Sequence, residues 1–199
     1  MYPDRQTAIS ELALAERFNP GKWADHSRNV ALAAECIAKA CPGMDVEKAF
    51  VCGLLHDIGR RAGVFQVRHI IEGYDYCKSK GWDEVARICL THSFPVKDIR
   101  ADVGKRDITQ EQFDFIDNFL NGLEYDDYDK LIILCDCLGT AEGLCILEKR
   151  MVDISRRYGI FDCTLPRWNK TFEYKEYFES KMGKSLYSVL PDIESCIYQ

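Results

Sequence analysis

The chain has no Cys-x-x-Cys pair, no apolar run near the roughly 20 residues a membrane span needs, and no surplus of basic residues. Each absence removes a class of protein. Without closely spaced cysteine pairs, a zinc ribbon or a thioredoxin-like redox site is not expected. The ten cysteines, at 36, 41, 52, 77, 89, 135, 137, 145, 163 and 196, fall mostly in apolar helical stretches and read as reduced core residues. With 26 Lys and Arg against 32 Asp and Glu, the net charge of −6 argues against polymeric nucleic acid as a partner, while leaving room for a local basic pocket that takes a small phosphate. No membrane partner is expected either. The opening Met-Tyr-Pro-Asp-Arg-Gln lacks a basic start followed by an apolar core, so a cytoplasmic location is expected. Period-two alternation is also missing beyond a few residues, which excludes a sheet-rich fold.

What is present is helical periodicity. It predicts helices over Gln6–Phe18, Lys22–Ala40, from an Asp45 N-cap through Leu55, and over Val67–Lys80, Asp83–Ser93, Thr109–Asn121, Tyr128–Thr140, Gly143–Tyr158, Lys170–Met182 and Ser185–Ser195. Thr109 with Gln112 forms a capping box. Pro95–Ile108, with four basic residues and three aspartates, reads as a mobile connection near whatever site exists. The expectation is one all-α domain over residues 1–199, carrying a C-terminal helical extension over about 164–199.

Histidine is scarce and unevenly placed: His26, His56, His69 and His92 are the only four, all in the first half. His56 is followed by Asp57 at the end of the apolar run Ala49-Phe-Val-Cys-Gly-Leu-Leu55. A carboxylate at the edge of a core costs several kcal/mol unless it is paired or binds metal. Asp136 repeats the problem inside Leu131-Ile-Ile-Leu-Cys-Asp-Cys-Leu138, with no Lys or Arg one turn away at 132, 133, 139 or 140. His26 and His92 lie at the edges of apolar helical stripes. Either one alone is better read as a core histidine, but four of them beside two uncompensated aspartates point to a metal. Imidazole and carboxylate without thiolate suit iron, manganese, zinc, nickel or magnesium, and do not choose among them.

The order His26, His56-Asp57, Asp136, and above all the stretch Gly53-Leu-Leu-His-Asp-Ile-Gly59, resembles the H…HD…D signature of the HD-domain metal-dependent phosphohydrolases. The resemblance covers about residues 22–143 and implies an HD-type helical bundle. His69 in Arg68-His-Ile-Ile-Glu-Gly73 and His92 in Cys89-Leu-Thr-His-Ser-Phe94 occupy the places of two further histidines in the two-metal members. It thus implies that His26, His56, Asp57 and Asp136 hold one divalent ion and His69 and His92 a second, with Asp57 bridging. With a single ion, His69 and His92 instead contact phosphate or move a proton.

The activity implied is hydrolysis of a small phosphate ester or anhydride, a nucleotide first among them, by water that the metal makes acidic. Asp57, Arg60 and Arg61 are the expected catalytic groups, and Arg28, Arg60, Lys97 and Arg100 the expected substrate contacts. Glu72, one turn after His69, is an expected partner that orients an imidazole, or is merely exposed. Asp25 and Ser27, flanking His26, read as surface residues. The aromatics Trp168, Phe172, Tyr174, Tyr177 and Phe178 read as helix packing rather than as a base pocket. Two alternatives stand beside the hydrolase: a di-iron oxygenase of the same fold, resembling myo-inositol oxygenase, and a regulatory binding module without turnover.

Overall fold

Helix signals in the sequence place nearly every element. In the computed structural model, which describes residues 1–101 and 106–198, nine α-helices form α1 Arg5–Phe18, α2 Trp23–Ala40, α3 Val46–Leu55, α4 Arg68–Ser79, α5 Asp83–Thr91, α6 Gln110–Asn121, α7 Asp127–Leu138, α8 Leu147–Tyr158 and α9 Thr164–Met182. No strand occurs among the described residues, where the one pairing of that kind is the isolated bridge between Gly139 and Leu144. The all-α class follows.

Caps explain the boundaries. The Asp45 carboxylate accepts the Lys48 amide and starts α3, and Thr109 and Gln112 close the expected capping box on α6. Asp126 and Asp129 form a second box at the start of α7. Four expectations shift. Helix α9 starts at Thr164 rather than Lys170, because Pro166 falls in the first turn, where its missing N–H costs no hydrogen bond. The eighth helix starts at Leu147 rather than Gly143, because the Gly139-to-Leu144 bridge closes a turn in which Gly143 takes φ 141°, outside helical space. The last helix breaks into two short 3-10 turns, Leu186–Val189 and Ile193–Tyr198, on either side of Pro191, which cannot continue the ladder. Within the predicted connection Pro95–Ile108 a 3-10 turn covers Ile99–Ala101, and its residues 102–105 lie outside the described residues.

Helix α7 runs through the middle, packed on α2, α3, α5, α8 and α9. Its Leu131, Ile132, Ile133, Leu134, Cys135 and Leu138 are all buried, the all-round apolar pattern of an interior helix. Each such aliphatic side chain contributes roughly 2 kcal/mol by burial. The C-terminal segment joins this core through Tyr174, Phe178, Leu186, Leu190 and Ile193. A second apolar cluster under α1 packs Ala8, Leu12 and Ala15 on Val51, Leu54, Leu55 and Ile58. No helix among the described residues is long and apolar enough to cross a membrane.

Two glycines set how closely the elements that carry the histidines approach. A Cβ on Gly53 would stand 2.9 Å from the Ala31 Cα of α2, and one on Gly59 1.9 Å from the His69 carbonyl oxygen and 2.4 Å from the Gly73 nitrogen of α4. The glycines at both ends of Gly53-Leu-Leu-His-Asp-Ile-Gly59 therefore let α2 and α4 close on the His-Asp turn.

Candidate metal centre

Helix ends converge on one spot. His26 sits in the first turns of α2, His56 caps α3, Asp57 opens the 3-10 turn Ile58–Ala62, His69 starts α4, His92 caps α5 and Asp136 lies in the last turn of α7. His26 Nε2 is 2.9 Å and His56 Nε2 3.7 Å from Asp136 Oδ1. His69 Nε2 is 3.1 Å and His92 Nε2 3.6 Å from Asp57 Oδ1, while His56 Nε2 is 3.9 Å from Asp57 Oδ2.

The orientation of the four rings follows from what their other nitrogens touch. Nδ1 of His26 faces the Gly139 carbonyl at 3.1 Å, that of His56 the Gly53 carbonyl at 2.7 Å and that of His92 the Ile88 carbonyl at 3.1 Å; His69 Nδ1 meets the Gln66 carbonyl. A carbonyl only accepts, so each Nδ1 carries the proton and a neutral ring presents a bare lone pair at Nε2. His69 and His92 bring two such Nε2 atoms within 3.3 Å of each other. Lone pair facing lone pair is repulsive unless a cation lies among them.

Two buried atoms of the cluster have no hydrogen-bond partner: His56 Nε2 and Asp57 Oδ1. Leaving a buried acceptor unsatisfied costs about 1–3 kcal/mol, more when it is charged, so these atoms fit metal ligands better than core residues. Three overlapping sets have ligand atoms mutually within 4.8 Å: His26, His56 and Asp57; His56, His92 and Asp136; Asp57, His69 and His92. His56, Asp57 and His92 each belong to two of them, so the three sets join into one cluster of six residues. No cysteine enters any set.

Where no cation lies among them, the rings can stabilise the two carboxylates only when Nε2 is protonated as well, and the carboxyl shifts reflect that charged form. Burial pushes the Asp57 carboxyl up, but Arg60, His69 and His56 outweigh it and hold it well below the usual carboxylate range. Asp136 is likewise raised by burial and brought well below that range by His26 and His56. Burial and the Arg60 charge push His69 down, toward the neutral form that a metal requires.

The cluster, apart from the buried His56 beneath it, lines a cavity of about 740 Å³ and forms its floor. Arg60 lines it, with Nε 2.5 Å from Asp57 Oδ2 and Nη1 3.2 Å from the Phe65 carbonyl. The remaining basic candidates point elsewhere. Arg28 pairs with Glu16 and Asp25 on the outside of α2, and Arg61 stacks on Tyr76 and Phe18. Lys97 reaches the Leu123 carbonyl and Glu124, and Arg100 is held by Asp98 and Asp117. None of the four lines the cavity.

One open alternative is decided and one smaller expectation is corrected. Glu72 pairs with Arg68, so the carbonyl of Gln66 rather than Glu72 orients His69. Ser27 is fully buried, its hydroxyl donating to the Trp23 carbonyl, whereas Asp25 is exposed. As expected, Tyr174 and Phe178 pack in the core and Trp168, Phe172 and Tyr177 pack against it; Trp168 also lines a smaller side chamber of about 120 Å³ beside His92 and Asp136, together with Pro95, Met151 and Tyr158.

The sequence reading did not anticipate that Lys22, at the start of α2, and three arginines of α8 and α9, Arg150, Arg157 and Arg167, line the same cavity and give it a basic wall. The only hint was the spacing of Arg150, Ile154 and Arg157, which puts them on one face of α8.

The family model for the HD domain matches residues 23–140, the span that runs from just before His26 to just after Asp136. No curated protein and no solved structure matches the chain. With more than half of its length matched and the signature residues drawn together, the chain belongs to the HD-domain superfamily of metal-dependent phosphohydrolases.

Proposed function

We propose that this protein hydrolyses a small phosphate ester or anhydride, a nucleotide being the class that best suits a cavity of about 740 Å³. The observation that carries this reading is the pairing of a metal-type floor with a cationic wall. Five cationic side chains line the cavity against four carboxylates, two of which, Asp57 and Asp136, belong to the floor itself. In a chain of net charge −6, that local excess suits an anionic substrate.

His26, His56, Asp57 and Asp136 would hold one divalent ion and His69 and His92, with Asp57, a second. When bound, such an ion supplies a water that loses its proton near neutral pH and a positive charge for a phosphoryl oxygen. The rest belongs to the chain. Arg60, fixed between Asp57 and the Phe65 carbonyl, keeps further N–H donors for a phosphoryl oxygen that gains charge in the transition state. The four backbone carbonyls hold the rings, so that no imidazole has to reorient during the reaction.

The test is phosphate release from a panel of nucleotides and simple phosphate esters by protein reconstituted with each of Mn, Fe, Zn, Ni and Mg. Release that His56→Ala abolishes supports the reading. Equal silence of wild type and His56→Ala with every metal sinks it.

A further inference from the structure

The arginine wall lies outside the family match, because α8 and α9 begin after residue 140. Arg150, Ile154 and Arg157 are spaced four and three residues apart, so both arginines project from one face of α8 and their Cα atoms are about 10 Å apart along the helix axis. Arg167 joins them from the start of α9. This is a row of donors rather than a point.

These groups retain donors that the chain does not satisfy. Arg150 Nε is buried and has no acceptor. Arg167 gives Nη1 to the Ala101 carbonyl at 2.9 Å and keeps its other N–H groups. Asp153 is the one carboxylate among them. Half-exposed, it takes Arg157 Nη2 at 2.8 Å and Arg150 Nη1 at 3.5 Å through the same oxygen, Oδ2. Three guanidinium groups against a single carboxylate leave two positive charges on this wall, in the planar fork geometry that suits phosphoryl oxygens.

We propose that this wall is a second anion subsite, which selects substrates with two or more linked phosphoryl groups, a phosphoric anhydride rather than a monoester. The proposal rests on the phosphohydrolase reading and names its substrate class. The phosphorus under attack lies at the His and Asp floor, and the departing phosphoryl group lies on Arg150, Arg157 and Arg167. Hydrolysis forms one bond from a water oxygen to phosphorus and breaks the bridging P–O bond. The electron pair leaves with the phosphate held by the arginines, and the water proton passes to solvent.

Calorimetric titration of the full chain, stripped of metal, with inorganic pyrophosphate and with orthophosphate tests the subsite apart from turnover. Wild type should bind pyrophosphate at least about tenfold more tightly. Arg157→Gln, at an exposed position, should lose most of that preference, and Arg150→Gln with Arg157→Gln all of it. Should the double variant fail to fold, Arg157→Glu alone should reverse the preference. Equal affinities for the two anions in wild type, or an unchanged preference in variants that melt like wild type, would overturn the subsite. Phosphate release measured in parallel separates the two claims. Tight pyrophosphate binding with no release under any metal leaves the subsite and removes the hydrolase; release from a monoester without pyrophosphate preference does the reverse.

Discussion

Replacing Gly59 with alanine would test fold and site together. The new Cβ would lie 1.9 Å from the His69 carbonyl oxygen and 2.4 Å from the Gly73 nitrogen. Ordinary contact is near 3.5 Å, so α4 and the 3-10 turn would have to separate by about 1.6 Å. Both neighbours are helix backbone and cannot rotate out of the way. Overpacking of this kind costs about 3 kcal/mol, offset by up to 1 kcal/mol because alanine restricts the unfolded chain. The net loss of about 2 kcal/mol should lower the melting temperature by roughly 4–8 °C for a chain of this size. The shift also draws His69 away from Asp57 and His92, so the metal it helps to hold should leave. The assay is a thermal melt followed by circular dichroism beside metal-to-protein stoichiometry. A variant that melts within about 2 °C of wild type and keeps its full metal content would refute the packing argument.

Three other outcomes follow from the same geometry. Asp129 is fully buried and takes Arg87 Nε at 3.0 Å and Thr91 Oγ1 at 2.8 Å; Asp129→Ala should cost about 3 kcal/mol, less than a wholly buried pair because Arg87 can rehydrate, and lower the melting point by roughly 6–12 °C. A drop under about 2 °C would contradict it. Burial raises the Asp127 carboxyl, but Lys181 and Tyr177 bring it below its usual value, so its folded pKa lies below the unfolded one near 3.9. Its stabilisation is then complete above that pH and fades as pH falls through the folded value, which Asp127→Asn should abolish at a cost of about 0.5–1 kcal/mol at pH 7. Acid melting curves that are parallel for the two proteins would refute the assignment. Thr109→Ala, which breaks the capping box of α6, should cost about 1 kcal/mol in urea unfolding, and no change would remove the cap from the account.

How far the sequence could be read depends on whether its signals were local. Asp45, Thr109 and the apolar run around Asp136 announced helices because caps and periodicity act within a few residues. Asp136 was legible for the opposite reason: it lacks a nearby counter-charge, so its partner had to come from elsewhere in the fold, whereas Asp57 has one in Arg60, three residues on, and was read from the apolar run that leads into it. Arg60 lines the cavity, but the other four basic candidates do not, because closeness in sequence was taken for closeness to the site. Arg28 is two residues past His26, and at about 100° per residue it points to the far side of α2. Arg61 follows Arg60 but turns onto Tyr76 and Phe18. Arg150, Arg157 and Arg167 were invisible because a helix rich in charge reads as a solvated surface, and tertiary packing alone brings it over residues some 100 positions earlier. The carbonyls that fix the four rings belong to the backbone, on which sequence is silent.

Metal content tests the central claim most directly. Full-length protein, purified without chelator or affinity nickel and measured by elemental analysis, should carry divalent metal at up to two equivalents per chain, consistent with the overlapping ligand sets. Asp57→Ala, which removes the shared carboxylate, should carry none above background while keeping its helical spectrum. Folded wild-type protein that holds no divalent metal, even after reconstitution with iron or manganese, would contradict the account.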